Sequence, residues 1–318
     1  MQTLTFKNLD RAKTAEYVKK IAEEGFGRKV LAVKCMGGGS YGLAYKVDFE
    51  GESVVIKAFK AAGMHISEAR QLRELIKYCP VPIPKVHFVF DAVPELPIDG
   101  ICMEFMHGEN VFTYFPFIFY SRKKKQAFAD AVADALIALH GKTKDKFGEL
   151  DITPYENWLD YYQPFAHDVL KDALELNRNG DLDEEITEIM VEAYDSFSEI
   201  FSEKVEKASL IHGDLNVMNI FADKKSLQPT AFIDPLDCMY ADREYDLFQL
   251  NNYSGKFFGL YKAYKAKQPT STYCDVKVAF YGLFHQVAIY IKTGVLFKFI
   301  MNPLLINMNK QLKLIKRK

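Results

Sequence analysis

The sequence predicts an α+β chain in two lobes, a small β-rich one over residues 1–106 and a larger, mostly helical one over 107–318. Three observations carry this expectation. Strand-like runs separated by glycine turns crowd residues 30–60 and return at 86–105. From about residue 106 the apolar spacing turns helical, and a single strand-like pair around Asp214 and Asp234 interrupts that helical half. At 318 residues the chain is long for one core, which suits a bilobal unit.

Taken in order, residues 14–24 carry helical spacing ahead of the first strand. Strands follow at 30–36, 41–49 and 53–59, the last two joined by the hairpin turn Glu50-Gly51. Residues 65–78 read as a helix with Ala69, Leu72, Leu75 and Ile76 on one face, and Pro80, Pro82 and Pro84 end it in an extended connection. Strands at 86–90 and 101–105 close the small lobe, with a proline-rich turn between them, and the lobes join near 105–108. In the helical half, 121–141 places Phe128, Val132, Leu136 and Leu139 on one stripe. Further helices are expected at 158–176, kinked or restarted at Pro164, at 182–205, and again from Asp246.

Composition excludes several classes of partner. Lys and Arg number 41 against 42 Asp and Glu, so nothing favours nucleic acid or an anionic membrane surface. The apolar stretches 111–120 and 278–305 are too short or too interrupted for a span of about 20 apolar residues, and both read as buried helix or loop. The five cysteines are dispersed without metal-ligand spacing, as expected of reduced thiols in a cytoplasmic protein, and the first seven residues lack the apolar core of a signal peptide. The basic, amphipathic stretch 309–318 reads as a solvated final helix or a surface contact.

The chemistry concentrates in His212-Gly213-Asp214-Leu215-Asn216-Val217-Met218-Asn219 and in Ile233-Asp234. Two carboxylates and an amide on short strands and their loop suit phosphoryl transfer. Asp214 would orient or deprotonate a hydroxyl, while Asn219 and Asp234 offer oxygen ligands to Mg²⁺. Lys57 is a lone cation in the apolar strand Val54-Val55-Ile56-Lys57-Ala58-Phe59. It either faces water on an edge or needs a carboxylate, and Glu68 on the next helix is favoured over Glu74. Such a pair would hold the phosphates of ATP, or of GTP. Gly38, Gly39 and Ser40 form either a phosphate-cradling turn or a plain hairpin. The backbone of Glu104 and Met106 could meet the adenine, unless this is simply the end of a core strand. His212 reads as a loop support, and Asp246 as an acceptor of catalytic-loop N–H groups or an ordinary helix cap.

These residues resemble the superfamily of aminoglycoside phosphotransferases, choline kinases and fructosamine kinases over roughly residues 30–260. Gly213 stands where protein kinases usually carry Arg, and no Asp-Phe-Gly follows the metal-binding segment. Pro235 and the run Asp242-Arg243-Glu244-Tyr245-Asp246-Leu247 look most like the fructosamine (ketosamine) kinase branch. The resemblance implies a protein-kinase-like fold and an ATP- and Mg²⁺-dependent small-molecule kinase.

On the acceptor side, Asp237, Asp242, Glu244 and Asp246 form an acidic cluster in a near-neutral chain. As an exposed rim it would favour a cationic acceptor such as an aminoglycoside, a glycated amine or a choline-like alcohol; the alternative is a solvated loop. Trp158, with Tyr161 and Tyr162, would form either an aromatic wall for that acceptor or part of the core.

Overall fold

In the computed structural model, which describes residues 5–316, Asp10 opens α1 (Arg11–Phe26) by accepting the Lys13 N–H at 2.8 Å, and Gly27 closes it at φ 61°. A five-stranded antiparallel sheet follows: β1 (Ala32–Gly38), β2 (Gly42–Asp48), β3 (Ser53–Phe59), β4 (Val86–Phe90) and β5 (Asp99–Glu104), in spatial order β1-β2-β3-β5-β4. Between β3 and β4 lies α2 (Met64–Leu75). The period-2 alternation of β3 divides its side chains between two cores. Val54, Ile56 and Ala58 pack outward with Val18, Ile21 and Ala22 of α1, while Phe59 packs inward with Ala69, Leu72 and Leu75 of α2. Lys57 shares the inner face, so the strand's own pleat aims it at α2.

The inner core is continuous with that of the helical half. Helix α2 is also bonded to it directly. The Gln71 side chain accepts the Cys238 N–H at 3.3 Å and Arg70 pairs with Asp151 at 2.7 Å; beyond the helix, the Phe232 N–H donates to the Pro82 carbonyl at 3.0 Å.

Past the connection at 105–108, β6 (Glu109–Asn110) joins a three-stranded sheet with β10 (Ile220–Ala222) and β11 (Pro229–Phe232). A second small sheet is ordered β7-β9-β12-β8, from β7 (Thr143–Lys144), β8 (Gly148–Glu149), β9 (Ala208–Leu210) and β12 (Met239–Ala241). Around these strands pack α3 (Arg122–His140), α4 (Trp158–Arg178), α5 (Glu184–Asp195), α6 (Phe197–Ile200), α7 (Gly255–Phe258), α8 (Leu260–Lys267), α9 (Cys274–Thr293) and α10 (Lys298–Ile315). Among the described residues no helix is long and apolar enough to cross a membrane.

Four local expectations need correction. The helix does not restart at Pro164: α4 continues through it because Trp158, Tyr162, Ala166, Val169 and Ala173 bury one face, which outweighs one missing backbone bond. The helix expected over 182–205 stops at Ser196, whose hydroxyl turns back to the Glu192 carbonyl at 3.1 Å; α6 then carries Phe197 into a stack on Phe201. The stretch 111–120 is only partly buried. It folds as a 3₁₀ turn over Phe115–Phe119, so Tyr114, Phe117 and Tyr120 share the inner side while Phe115 and Phe119 stand 65% and 75% exposed. The final helix is not wholly solvated, since Leu312 and Ile315 are buried and Lys316 pairs with Glu192 at 2.7 Å. The first four residues of the chain, and the last two of its basic tail, lie outside the described residues.

Candidate active site

The register of one hairpin brings the polar groups together. Ile220 on β10 faces Phe232 on β11, and the Ile233 N–H donates to the Asn219 carbonyl at 3.0 Å, so Asn219 and Asp234 emerge side by side. Strand β9 delivers the 212–216 loop to the same place. Its turn is set by Gly213 at φ 83°, where a Cβ would lie 1.7 Å from the Leu236 carbonyl oxygen. No side chain fits there, which explains in steric terms why glycine holds this position.

Asp246 is fully buried and ties the loop down. It accepts the Gly213 N–H at 2.6 Å and the His212 N–H at 2.8 Å, and meets His140 Nε2 at 3.1 Å. His212 is buried, and its Nδ1 accepts the Asp214 N–H at 3.3 Å. Burial lowers its pKa to about 4, leaving a neutral support rather than a cation.

The Asp214 carboxylate receives three side-chain amides: Gln249 at 2.6 Å, Asn216 at 2.8 Å and Asn219 at 3.0 Å. Burial raises this carboxyl well above the usual range and the Asp234 charge adds to the rise, against the lowering effect of the Asn216 and Asn219 amides. Sequence reasoning missed Gln249. It sits in an ordinary 3₁₀ stretch over Arg243–Asn251, with nothing in its neighbours to mark it.

Lys57 Nζ stands 2.6 Å from Glu68 Oε2 and 2.5 Å from Asp234 Oδ1. Burial alone would push the ammonium down, but Asp234 and Glu68 overcome it and hold Lys57 above the ordinary lysine range. One ammonium serves two carboxylates here. Burial raises Glu68, Lys57 pulls it back and Asp234 raises it again, to about 7. Lys57 is therefore charged at neutral pH, and Glu68 is held above the usual carboxylate range. Glu74 is engaged elsewhere, with Lys77 at 2.7 Å and the Tyr240 hydroxyl at 3.3 Å.

Above this cluster lies the β1–β2 turn. Gly38 is the last residue of β1, and a Cβ on it would meet Leu43 and the Gly42 carbonyl. Gly39 and Ser40 form the tip, where the Gly39 N–H donates to the Gly42 carbonyl at 3.1 Å. Tyr41 follows, and its phenol is raised by burial and by the Asp237 and Asp214 charges. Glu104 ends β5 beside Val54 of β3, and Met106 starts the crossing to the helical half.

The acidic rim needs correction. Asp242 and Glu244 are buried and share Lys277 of α9, at 2.7 and 2.9 Å. Asp242 also accepts the Tyr281 hydroxyl at 2.8 Å, and Glu244 the Ser271 N–H at 2.6 Å. Two carboxylates taken out of water need such a cation, and they form an internal brace rather than an acceptor surface. Asp237 lines the cavity bordered by Trp158 and Tyr161, whereas Asp242 and Glu244 line a different pocket, together with their own cation Lys277. Trp158 is buried too, donating its Nε1–H to Tyr281 at 2.8 Å, yet it borders the same cavity as Asp237.

The sequence over residues 13–299 matches the family model described as fructosamine kinase. The chain belongs to the fructosamine kinase family. As a fructosamine kinase family member it is a small-molecule kinase. Solved structures share its fold. An aminoglycoside phosphotransferase APH(4)-Ia, solved with ADP and hygromycin B, superposes with TM-score 0.69 at 16% identity over 93% of this chain and 98% of the other. A protein of Haemophilus somnus, described as a candidate fructosamine-3-kinase, gives 0.67 at 16% identity over 93% and 96%. The aminoglycoside phosphotransferase APH(2")-IIa, solved with gentamicin, gives 0.65 at 19% identity over 96% of each chain. No curated protein sequence matches it.

Proposed function

We propose that this family member transfers the γ-phosphoryl group of ATP, or of GTP, to a hydroxyl of a small amine-bearing acceptor of the ketosamine class. One observation carries the reading: Asp214, its carboxylate fixed by three amides, stands in the same cleft as Asn219, Asp234 and the Lys57–Glu68 pair. Asp214 would hold the acceptor hydroxyl and take its proton as the new O–P bond forms. Lys57 would move from carboxylate to phosphate oxygens, the Gly38–Ser40 turn would offer N–H groups to the phosphate chain, and the Glu104 and Met106 backbone would meet the base.

The residues fit Mg²⁺. Asn219 spends its Nδ2 on Asp214, leaving its oxygen outside any hydrogen bond of the described residues, and Asp234 is half-exposed with one oxygen beyond Lys57. Two oxygen donors suit this hard cation, which when bound would neutralise phosphate charge. The ketosamine class is favoured over polycationic aminoglycosides by the family and by the burial of Asp242 and Glu244, which removes two charges from the rim.

Turnover of Mg²⁺-ATP against a panel of ketosamines, aminoglycosides and choline-like alcohols tests this. Asp214→Ala should abolish turnover while ATP affinity stays near that of the wild type. Undiminished turnover in that variant refutes the assignment.

A further inference from the structure

Trp158, Tyr161, Tyr162 and Tyr245 line a cavity of about 180 Å³ that also takes in Asp237 and Lys292. It adjoins the catalytic loop: a Cβ on Gly213 would lie 2.8 Å from the Asp237 carbonyl carbon, and the Asp237 charge acts on Asp214. Three of its polar groups are unspent. Neither the Asp237 carboxylate nor the Lys292 ammonium enters a hydrogen bond or ion pair among the described residues, with each other or with anything else. The buried Tyr162 hydroxyl has no hydrogen-bond partner among the described residues. Asp237 is held at φ 56°, a conformation few non-glycine residues adopt, and this backbone strain stands at the cavity wall.

Asp237 and Lys292 are both partly buried, so each gives up part of its hydration at this aromatic cavity without gaining a partner. A ligand that brings both complementary charges would offset that cost. Resting on the kinase reading above, we propose that this cavity holds the amino-acid end of the acceptor, with Asp237 on its ammonium and Lys292 on its carboxylate. Tyr162 donates its hydroxyl to the same carboxylate, and the surrounding rings pack on the carbon skeleton and face the ammonium. The acceptor class is thus a sugar joined to a zwitterionic amino acid. A polycation gains at Asp237 but is repelled at Lys292, so the pair also selects against aminoglycosides.

Fructosyl-glycine and fructosyl-glycinamide share sugar and amine and differ only in the carboxylate. In a coupled ATP-consumption assay the wild type should prefer the acid by on the order of tenfold or more in kcat/KM. Lys292→Met should bring that ratio close to one, and Lys292→Arg should keep it, which separates loss of charge from damage to the fold. Equal use of the two acceptors by the wild type, or an unchanged ratio in Lys292→Met, overturns this assignment and leaves the kinase reading standing. If the wild type phosphorylates neither of them but does phosphorylate an aminoglycoside, the ketosamine reading itself falls, and this proposal with it.

Discussion

Replacing Gly213 by alanine tests how tightly the catalytic loop is packed on the segment that carries Asp234 and Asp237. The new Cβ would begin 1.7 Å from the Leu236 oxygen and 2.8 Å from two backbone carbons. Real Cβ atoms keep at least 3.0 Å from such neighbours, so loop and segment must part by about 1.3 Å. Alanine at φ 83° adds roughly 1–2 kcal/mol of backbone strain. Parting the chains also stretches the 2.6 Å bond from the Gly213 N–H to the Asp246 carboxylate, a charge-assisted bond worth about 1.5–3 kcal/mol. The expected loss of stability is about 3–5 kcal/mol, a large share of the ~5–15 kcal/mol typical of a folded domain. A displacement near 1 Å at Asp214, the proposed base, should lower kcat on the order of 100-fold. Urea titration followed by the fluorescence of Trp158, the only tryptophan and a buried one, measures the first quantity, and turnover at saturating ATP the second. Gly180 is the control: its φ is +81°, yet a Cβ there meets nothing within 4 Å, so Gly180→Ala should show the strain alone. If Gly213→Ala costs no more than Gly180→Ala and turns over within threefold of the wild type, the packing reasoning is wrong.

As the proposed base, Asp214 must be ionised to act, and with its carboxyl raised, activity should fall with falling pH at values above the ordinary carboxylate range. Asp237→Asn removes one raising charge, so the acidic limb of the kcat/KM profile should move to lower pH; a stationary limb counts against the coupling. His212 and His285 are both lowered to about 4 by burial, so their rings should show no titration by NMR until well below pH 5. A depressed pKa stabilises the fold fully above about 6.5, by roughly 3 kcal/mol for each ring, and that contribution is lost as pH falls towards 4. Glu68, raised to about 7, works in the opposite sense over that range, so Glu68→Gln should steepen the acid loss; a slope unchanged from the wild type would argue against it. Lys277→Met strands two buried carboxylates and should cost about 3–5 kcal/mol in urea, whereas a surface lysine would cost almost nothing.

What could be read from the chain depended on whether the physical reason was local. A cation inside an apolar strand demands a partner, and the next helix offers one within eleven residues, so Lys57 and Glu68 stand out together. The spacing of Asp214, Asn219 and Asp234 is likewise set by one loop and one hairpin. Asp242 and Glu244 misled because their cation, Lys277, comes from a helix more than thirty residues later, and hydropathy cannot show that meeting. Gln249 is a similar case, reaching Asp214 only through the fold. Residues 111–120 were misjudged because the count of apolar residues says nothing of a three-residue turn period, which leaves every third ring inside and the rest out.

The attachment of α2 to the helical half has a consequence for control. In protein kinases the corresponding glutamate-bearing helix is a movable part, and its position decides whether the lysine–glutamate pair forms. Here Ala69, Leu72 and Leu75 belong to the same core as the large helices, and Gln71 and Arg70 are bonded across to residues beyond 149. Swinging this helix out would mean opening that core. The packing thus keeps Glu68 within reach of Lys57 in the folded state, and a swing of this helix would not serve this enzyme as an off switch. Its output would follow the supply of acceptor and nucleotide, and in hydrogen exchange α2 should open with the large helices while α1 and the outer sheet face open on their own.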